Sequence, residues 1–467
     1  MTDPEQVLTR ESDLDGYFTP GSKPRAQWGV GLEYERFGLL ADTLDPVPYD
    51  GPRSVLAVLS TLVGERGFDA DTEDGHLLGA HRGGTRITLE PGCQLEMSGA
   101  VHRDLASMRA ELLGYLEDVA QASRSAEIAW LGVGMQPLAP LGRLPWIPKK
   151  RYAIMREYLP TRGTRGHVMM QQTACIQANL DYGDERDAMA KMRAAMAVTP
   201  VVTALFAHSP LTEGRPNGMQ SARAWAWRDT DRDRCGLLDF VFRDDAGFGD
   251  YLEWALDVPL FFVVRDGAYH PGEGVTFRRF IRDGFHGRRA TVADFQRHLT
   301  TLFPEVRLKH YLEMRGADSA DPASAMALAA LWKGLLYDPA ALAWCVALTA
   351  GWSFAERNRF LDDVCRLGPG AALPAAGVAG VPGARSAGDL FDALLDRARA
   401  GLAAQGAASE SSFLDPLDDR AARGVPARRL LAAWDGPLAH DPRRLVAALA
   451  RNTLLPGRDD GGAPDGD

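Results

Sequence analysis

Hydrophobic and polar residues alternate along several short runs of the chain, and this pattern predicts β-strands whose two faces differ. The runs span residues 28–40, 86–98, 174–182, 258–265 and 305–315. Strands with one polar and one apolar face are typical of antiparallel sheets. Other stretches, 103–124 and 184–199 among them, repeat apolar residues every three to four positions and therefore predict helices. The pattern predicts an α+β fold in which helices back an antiparallel sheet.

The composition changes along the chain and predicts its organisation. Alanine and leucine dominate from about residue 322, and a Gly/Pro/Ala-rich stretch follows before further helical runs. We therefore expect an N-terminal segment (1–25), a main domain (26–366), a linker (367–386), a C-terminal helical region (387–455) and a disordered acidic tail (456–467).

The charge balance excludes one class of partner. The 467 residues include 62 acids and 52 bases, giving a net charge of -10. A chain without a basic surface is unsuited to nucleic acid, although a few arginines can still bind a small anion. The N-terminus is polar without a secretory pattern, and no uninterrupted apolar run is long enough to span a bilayer. We therefore expect a cytoplasmic protein with no membrane partner.

Acidic side chains concentrate on one face of the first two predicted strands. Residues two apart in a strand point to the same side, so Glu33 and Glu35 share a face. In the second strand Glu96 takes a central position on its polar face, and Glu90 precedes a Pro-Gly bend. Adjacent like charges destabilise a sheet unless something neutralises them.

Two further strands carry polar side chains in the same alternating pattern. Gln177 shares a face with Asn179 and Asp181, and Glu313 shares one with Tyr311 and Arg315. A wet, half-exposed sheet face would explain any one of these strands alone. Central glutamates in three of the four strands instead favour a site for Mg²⁺, which prefers carboxylate and water oxygens and bridges to nucleotide phosphates. Arg315 could then bind a phosphate or carboxylate through its planar fork.

The chain has no phosphate-binding glycine loop of the GxxxxGK[ST] type. A nucleotide would therefore be held by metal ions and arginines.

A series of motifs resembles the plant-type glutamate–cysteine ligases, a family of glutamine-synthetase-like carboxylate–amine ligases. The motifs are GLEYERFG (31–38), LEPGCQLEMSGA (89–100), PKKRYAIM (148–155), MMQQTACIQANLDY (169–182), TALFAHSPLTEGRPNG (203–218), WRDTDRDRCG (227–236), YLEWALDVPLFFV (251–263) and HLTTLFPEVRLKHYLEMRGAD (298–318). They follow the family's order and cover roughly residues 25–335. The run 412–431 is similar to the family's helical tail.

The resemblance implies a curved antiparallel sheet whose concave face holds ATP, two or three Mg²⁺ ions, glutamate and cysteine. By motif, the metal-binding residues would be Glu33, Glu35, Glu96 and Glu313, with contributions from Gln177 and Glu90. Arg315 would be the catalytic arginine on the phosphate side, Arg223 and Arg234 would bind anions, and Arg151 and Tyr152 would belong to a loop over the site.

The implied reaction is ATP-dependent ligation of the glutamate γ-carboxylate to the cysteine amine through γ-glutamyl phosphate. Two alternatives stay open at this point. One is a related ligase that joins glutamate to a different amine, because the motifs fix the acyl-phosphate chemistry better than the acceptor. The other is a non-catalytic nucleotide or amino-acid binding protein on the same scaffold. The oligomeric state is left open.

Overall fold

The computed structural model describes residues 3–451. The predicted acidic tail (456–467) lies outside the described residues. The strands are β1 (Val30–Leu40), β2 (Asp69–Glu73), β3 (His76–Arg82), β4 (Thr85–Leu89), β5 (Leu95–Ser98), β6 (Ile128–Leu131), β7 (Cys175–Leu180), β8 (Leu211–Thr212), β9 (Arg215–Pro216), β10 (Cys235–Gly236), β11 (Phe262–Arg265), β12 (Ala268–Pro271), β13 (Phe303–Pro304), β14 (Val306–Leu308) and β15 (Leu312–Asp318).

The α-helices alternate with these strands and continue beyond the last of them. They are α1 (Val55–Glu65), α2 (Leu105–Ala122), α3 (Lys150–Tyr158), α4 (Gly166–Gln172), α5 (Glu185–Phe206), α6 (Ala222–Arg228), α7 (Phe248–Asp257), α8 (Phe277–Asp283), α9 (Val292–Leu299), α10 (Pro322–Leu336), α11 (Pro339–Leu348), α12 (Phe354–Leu367), α13 (Phe391–Ala404), α14 (Asp415–Arg423), α15 (Pro426–Asp435) and α16 (Pro442–Arg451).

The main sheet positions the polar face that the sequence predicts. Within residues 3–451 it has nine strands in the order β14-β15-β7-β1-β5-β4-β3-β2, with β6 paired to the far end of β1. Every pairing in this sheet is antiparallel. The central strand β1 is flanked by β5 and β7, so side chains from three separate parts of the chain meet on one face.

Two of the predicted strands are hairpins. The run 86–98 forms β4 and β5 around the bend at Pro91 and Gly92, and 305–315 forms β14 and β15 around a turn at Lys309 and Tyr311. The backbone N–H of Lys309 donates to the Tyr311 carbonyl at 2.8 Å. Each hairpin therefore brings its own two halves side by side on the sheet.

The predicted helix 184–199 continues beyond Pro200. Helix α5 begins after Asp184, whose side chain accepts a hydrogen bond from the Asp187 N–H at 2.8 Å, and it extends to Phe206. It is long and apolar enough to cross a membrane by length and composition, but 89% of its most apolar window is buried inside the fold. Residues 194–206 are all buried, and this packing offsets the stability that is lost because Pro200 cannot donate a backbone hydrogen bond.

The C-terminal helices share a hydrophobic core with the sheet. Helix α13 packs against α10, and its Leu394 and Leu402 are fully buried in the main core. Helix α16 packs against β6 and joins Leu430 and Trp434 in a smaller cluster. The stretch 367–386, predicted as a linker, is closed by a bridge between Ala372 and Ser386. The proposed domain boundaries stay a prediction.

Candidate active site

A cavity of about 580 Å³ lies on the polar face of the sheet, and we call it the cleft. Strands β1, β5 and β7 supply its floor, and residues before and within α3 supply part of its wall. The opposite face of β1 is apolar: Leu32 and Tyr34 are almost fully buried, and the Tyr34 hydroxyl donates to the Ala320 carbonyl at 2.7 Å. The alternation of β1 therefore directs Glu33 and Glu35 into the cleft.

The strand register brings the acidic side chains together. Glu35 of β1 lies directly opposite Glu96 of β5, and Glu33 lies opposite Gln177 of β7. Glu90, on the bend after β4, lines the same cavity. Directly opposed residues on antiparallel strands have Cβ atoms about 4.5–5.5 Å apart, so the Glu35 and Glu96 side chains are close neighbours.

Uncharged donors hold three of these carboxylates. Glu35 accepts the backbone N–H of Cys175 at 2.8 Å and its thiol at 2.9 Å, one on each oxygen. Glu33 accepts the Asn179 amide at 2.9 Å, and Glu96 accepts the Thr88 hydroxyl at 2.5 Å. Within residues 3–451, Glu33, Glu35, Glu90 and Glu96 have no lysine or arginine nitrogen within 4 Å of a carboxylate oxygen.

The electrostatics of the acidic group are unfavourable without a cation. Burial and the nearby Glu90 raise the pKa of Glu35 to about 7. Burial, together with Glu90, Glu33 and Glu35, raises the pKa of Glu96 well above its usual range. Burial and Glu313 also raise the pKa of Glu33. Mutual repulsion of this kind marks a site that a divalent cation would neutralise.

Glu313 has a different environment. It is fully buried on β15 and accepts two hydrogen bonds from Arg307 Nη2, at 2.6 and 2.9 Å. Lys309 Nζ lies 2.8 Å from its second oxygen, and Arg315 Nη1 donates to the first. Although burial alone would raise its pKa, Arg307, Lys309 and Arg315 hold the pKa of Glu313 well below its usual value. The metal role predicted for Glu313 therefore competes with three cations already bound to it.

Arg315 connects this basic group to the floor of the cleft. Its Nη1 donates to the Gln177 side-chain carbonyl at 2.7 Å, so that this predicted metal ligand is already engaged. The guanidinium lies over the rings of Trp227 and Phe303, at 5.5 and 5.7 Å from their centroids. These contacts fix the plane of a guanidinium that lines the cavity.

The wall of the cleft is cationic. Arg151 lies over the Tyr152 ring at 4.9 Å, and the Tyr152 hydroxyl donates to Glu90 at 3.1 Å. Lys149 lines the same wall, and burial and Arg151 lower its pKa. Because the backbone N–H of Lys150 donates to Glu73 of β2 at 2.8 Å, the start of α3 is tied to the sheet. Anionic groups entering the cleft would meet acids on the floor and cations on this side.

Comparison with known proteins decides the family. The model of glutamate-cysteine ligase family 2 (GCS2) matches residues 29–448. This chain belongs to glutamate–cysteine ligase family 2. Two curated members are named as chloroplastic glutamate–cysteine ligases. The Brassica juncea protein is 42% identical over 77% of this chain and 70% of its own length, and glutamate–cysteine ligase B of Oryza sativa subsp. japonica is 44% identical over 77% and 71%.

A solved structure agrees in fold. The crystal structure of glutamate–cysteine ligase from Francisella tularensis in complex with AMP covers 91% of this chain and 92% of its own, with a TM-score of 0.54 and 12% sequence identity. The predicted antiparallel sheet with helices is confirmed, as are the resemblance and the assignment to an ATP-dependent ligase of the glutamate–cysteine type. The predicted cytoplasmic location is wrong on this comparison, because the relatives are named as chloroplastic.

The structure brings most of the predicted site residues of this family member into one cleft, and their individual roles stay predictions. The residues that line it are Glu33, Glu35, Glu90, Glu96, Gln177, Arg151, Tyr152, Arg223 and Arg315. Arg223 Nη2 donates to the Arg315 carbonyl at 2.6 Å, so the two arginines are adjacent. Glu313 lies beneath this group, enclosed by its cations.

Arg234 does not line the cleft, and we drop it from the anion-binding set. Its guanidinium is fully buried and donates to Asp231 at 2.6 Å, to the Tyr158 hydroxyl at 3.1 Å and to the Pro259 carbonyl at 2.8 Å. A further bond joins it to the Thr301 carbonyl at 3.2 Å. The motif WRDTDRDRCG therefore contributes a structural ion pair through this residue rather than a cleft residue.

The cleft residues missed from the sequence include Lys149, Cys175, Arg307 and Lys309. The turn between β14 and β15 was the available signal for two of them. Once this run is divided into a hairpin, Arg307 falls opposite Glu313, and Lys309 is placed beside both. The Cys175 contact had no such signal, because its partner Glu35 lies on another strand far away in sequence.

Proposed function

We propose that the cleft catalyses ATP-dependent condensation of the glutamate γ-carboxylate with the cysteine amine, giving γ-glutamylcysteine, ADP and phosphate. One observation carries the proposal: a single cavity joins unneutralised carboxylates on its floor to a group of cations on its wall. This arrangement suits a reaction between a nucleoside triphosphate and a carboxylate. Both reactants are anionic and need metal ions or cationic side chains around them.

The acidic floor fits a divalent metal ion. Glu35, Glu96 and Glu90 would hold it, with Glu33 as a further oxygen donor, because their repulsion is otherwise unrelieved. Among residues 3–451, no group of three or more Asp, Glu, His or Cys side chains is already arranged to hold a metal ion. This is compatible with Mg²⁺, which keeps several waters and shares its coordination with substrate phosphates. When bound, the metal would neutralise phosphate charge; two or three ions stay the prediction.

The arginines and lysines that line the cleft would orient the anionic substrates. Arg315 and Arg223 are adjacent and held by protein contacts, so their guanidinium planes are fixed before substrate enters. We assign them to the transferred phosphoryl group and to the glutamate carboxylate. Lys149 and Arg151, which line the cleft on the α3 side, would screen the remaining phosphates.

The reaction we propose has two steps. The glutamate γ-carboxylate attacks the ATP γ-phosphorus, giving γ-glutamyl phosphate and ADP. The cysteine amine then attacks the acyl carbon, loses a proton and expels phosphate. The described residues position and screen the reactants, and the scheme requires no nucleophilic side chain.

The test is ADP release by the full-length protein with Mg²⁺, ATP and glutamate, with and without cysteine. We expect release and γ-glutamylcysteine formation that depend on cysteine. Release with another amine in place of cysteine, across a panel of amino acids and amines, would indicate a related ligase. ATP binding without ADP formation in any mixture would overturn the proposal and leave a binding protein.

A further inference from the structure

A second cavity, of about 300 Å³, lies between the start of α10 and the C-terminal helices α14, α15 and α16. It shares no lining residue with the cleft. We call it the helical cavity. Its size is at the lower end of the range for small-molecule sites.

A buried arginine lines the helical cavity without a carboxylate partner. Arg420 is 4% exposed, and its guanidinium donates to the Leu205 carbonyl at 3.3 Å and to the Ser324 hydroxyl. No carboxylate oxygen in residues 3–451 lies within 4 Å of it. Burial lowers its pKa to about 10, so it remains charged at neutral pH. A buried cation that only neutral groups satisfy is costly, and an anionic ligand would relieve that cost.

Two other polar groups face the same cavity. His208 donates from Nδ1 to the Ser319 carbonyl at 3.1 Å, and its Nε2 makes no hydrogen bond to any residue between 3 and 451. Asp321 uses Oδ1 to cap α10 through Ser324, at 2.7 and 2.8 Å, which leaves its Oδ2 available. The other two charged residues on the wall, Arg429 and Asp419, form an ion pair with each other at 2.5 Å.

The rest of the wall is apolar. It is formed by Pro416, Pro426, Leu430, Ala433, Leu438 and Leu449. The lining contains two aspartates, Asp321 and Asp419, and two arginines, Arg420 and Arg429, so its formal charge is near zero, which disfavours a polyphosphate. The wall instead suits a ligand with one negative group, one positive group and an apolar part.

We propose that the helical cavity binds a small α-amino acid with an apolar side chain. Its carboxylate would pair with Arg420, its ammonium with the free oxygen of Asp321 and its side chain with Leu430 and Leu449. This site is separate from the substrate cleft and does not depend on the proposed reaction.

The test is calorimetric titration of the full-length protein with L-leucine, while a non-hydrolysable ATP analogue and glutamate occupy the cleft. We expect saturable binding of leucine. The affinity for 4-methylpentanoate, which lacks the ammonium group, should be at least tenfold lower. Arg420→Gln should weaken leucine binding at least tenfold. Ala433→Phe, which keeps the arginine but fills the cavity, should do the same. Arg428→Gln, an exposed neighbour outside the cavity, should have no effect.

Several results would overturn the proposal. They are the absence of saturable leucine binding, binding that both cavity variants retain, and displacement of leucine by the cleft ligands. A chain shortened to end at Arg451 tests another source of carboxylate, the acidic residues beyond it. Equal leucine binding by both chains supports a free amino acid, whereas binding by the shortened chain alone would assign Arg420 to the chain's own carboxylates and overturn the proposal.

Discussion

Glu35 and Glu96 lie directly opposite each other on the adjacent antiparallel strands β1 and β5. Both are held by uncharged donors, and no basic side chain among residues 3–451 forms an ion pair with either. Opposed like charges lower the stability of a sheet. The fold therefore retains an unfavourable pair at the centre of its cleft, and such a compromise is typical of sites built for a ligand rather than for stability.

Replacing Glu96 with glutamine should separate activity from stability. We expect ADP release to fall on the order of 100-fold, because the metal loses a ligand, while the half-saturating Mg²⁺ concentration rises more than about tenfold. In EDTA the same variant should be more stable than the parent by about 1 kcal/mol, because one of two opposed charges is gone. Steady-state assays over a Mg²⁺ range and urea unfolding measure the two effects.

Glu65→Gln, an exposed change on α1 away from the cleft, is the matched control and should leave both quantities unaltered. Near-parental turnover and Mg²⁺ dependence in Glu96→Gln would contradict the metal assignment.

The metal-induced stabilisation should depend on pH. The pKa of Glu35 is raised by burial and Glu90 to about 7 from an ordinary value of 4.5. Between these values the folded chain holds the proton that the unfolded chain has lost, so this contribution to stability is lost as pH rises through 7. Because Mg²⁺ binds the ionised carboxylate, the Tm increase that Mg²⁺ produces should be larger at pH 8 than at pH 5.5.

Thermal unfolding with Mg²⁺ or EDTA at both pH values measures this effect. Glu35→Gln should remove much of the pH dependence. An equal Mg²⁺-induced shift at pH 5.5 and 8 in the parent would show that the ion binds elsewhere.

Glu313→Gln should behave in the opposite way to Glu96→Gln. Removing this charge leaves Arg307, Lys309 and Arg315 without their shared anion, and breaking a buried pair costs about 3–5 kcal/mol. We expect a large fall in the unfolding free energy, measured in urea without Mg²⁺. A variant as stable as the parent but with weakened Mg²⁺ dependence would instead support the metal role that the sequence suggested for Glu313.

Strand alternation was enough to predict the acidic face. Glu33 and Glu35 are two residues apart, and any strand places them on one side, so their shared orientation follows from local geometry. Their encounter with Glu96 depends on which strands pair and in which register. The family resemblance predicted that these glutamates share one site, but neither it nor the periodicity predicted the strand pairing and register.

The errors came from features that alternation cannot report. Treating 305–315 as one strand hid the hairpin, and with it the three cations around Glu313. Arg234 was predicted as an anion-binding group from its match to the family motif alone. Its burial depends on Tyr158 and Pro259, which approach from other parts of the chain.

Lysine substitutions should distinguish the structural role of Arg234 from the substrate-binding role that we propose for Arg223. Arg234→Lys loses several of its hydrogen bonds to buried acceptors, so we expect a stability loss of about 1–3 kcal/mol with an unchanged KM in the folded fraction. Arg223→Lys keeps the charge but loses the planar fork in the cleft, and KM for glutamate or ATP should rise about tenfold. A raised KM in Arg234→Lys alone would reverse this assignment.

Cys175 should matter through the hydrogen bond that it gives Glu35. Its thiol and backbone N–H each donate to one oxygen of that carboxylate, and burial together with Glu35 raises the thiol pKa well above its usual range, so the thiol stays protonated. Cys175→Ala removes the thiol donor and leaves Glu35 held by the backbone N–H alone. The half-saturating Mg²⁺ concentration should then rise about tenfold, with a smaller change in the rate at saturating Mg²⁺.

Cys175→Ser restores a donor and should recover most of the affinity for Mg²⁺. If Cys175 only packs, serine would be no better than alanine. Mg²⁺ titrations of ADP release by the parent, Cys175→Ala and Cys175→Ser separate these outcomes. The control is Cys345→Ala, which removes a buried thiol on α11 outside the cleft.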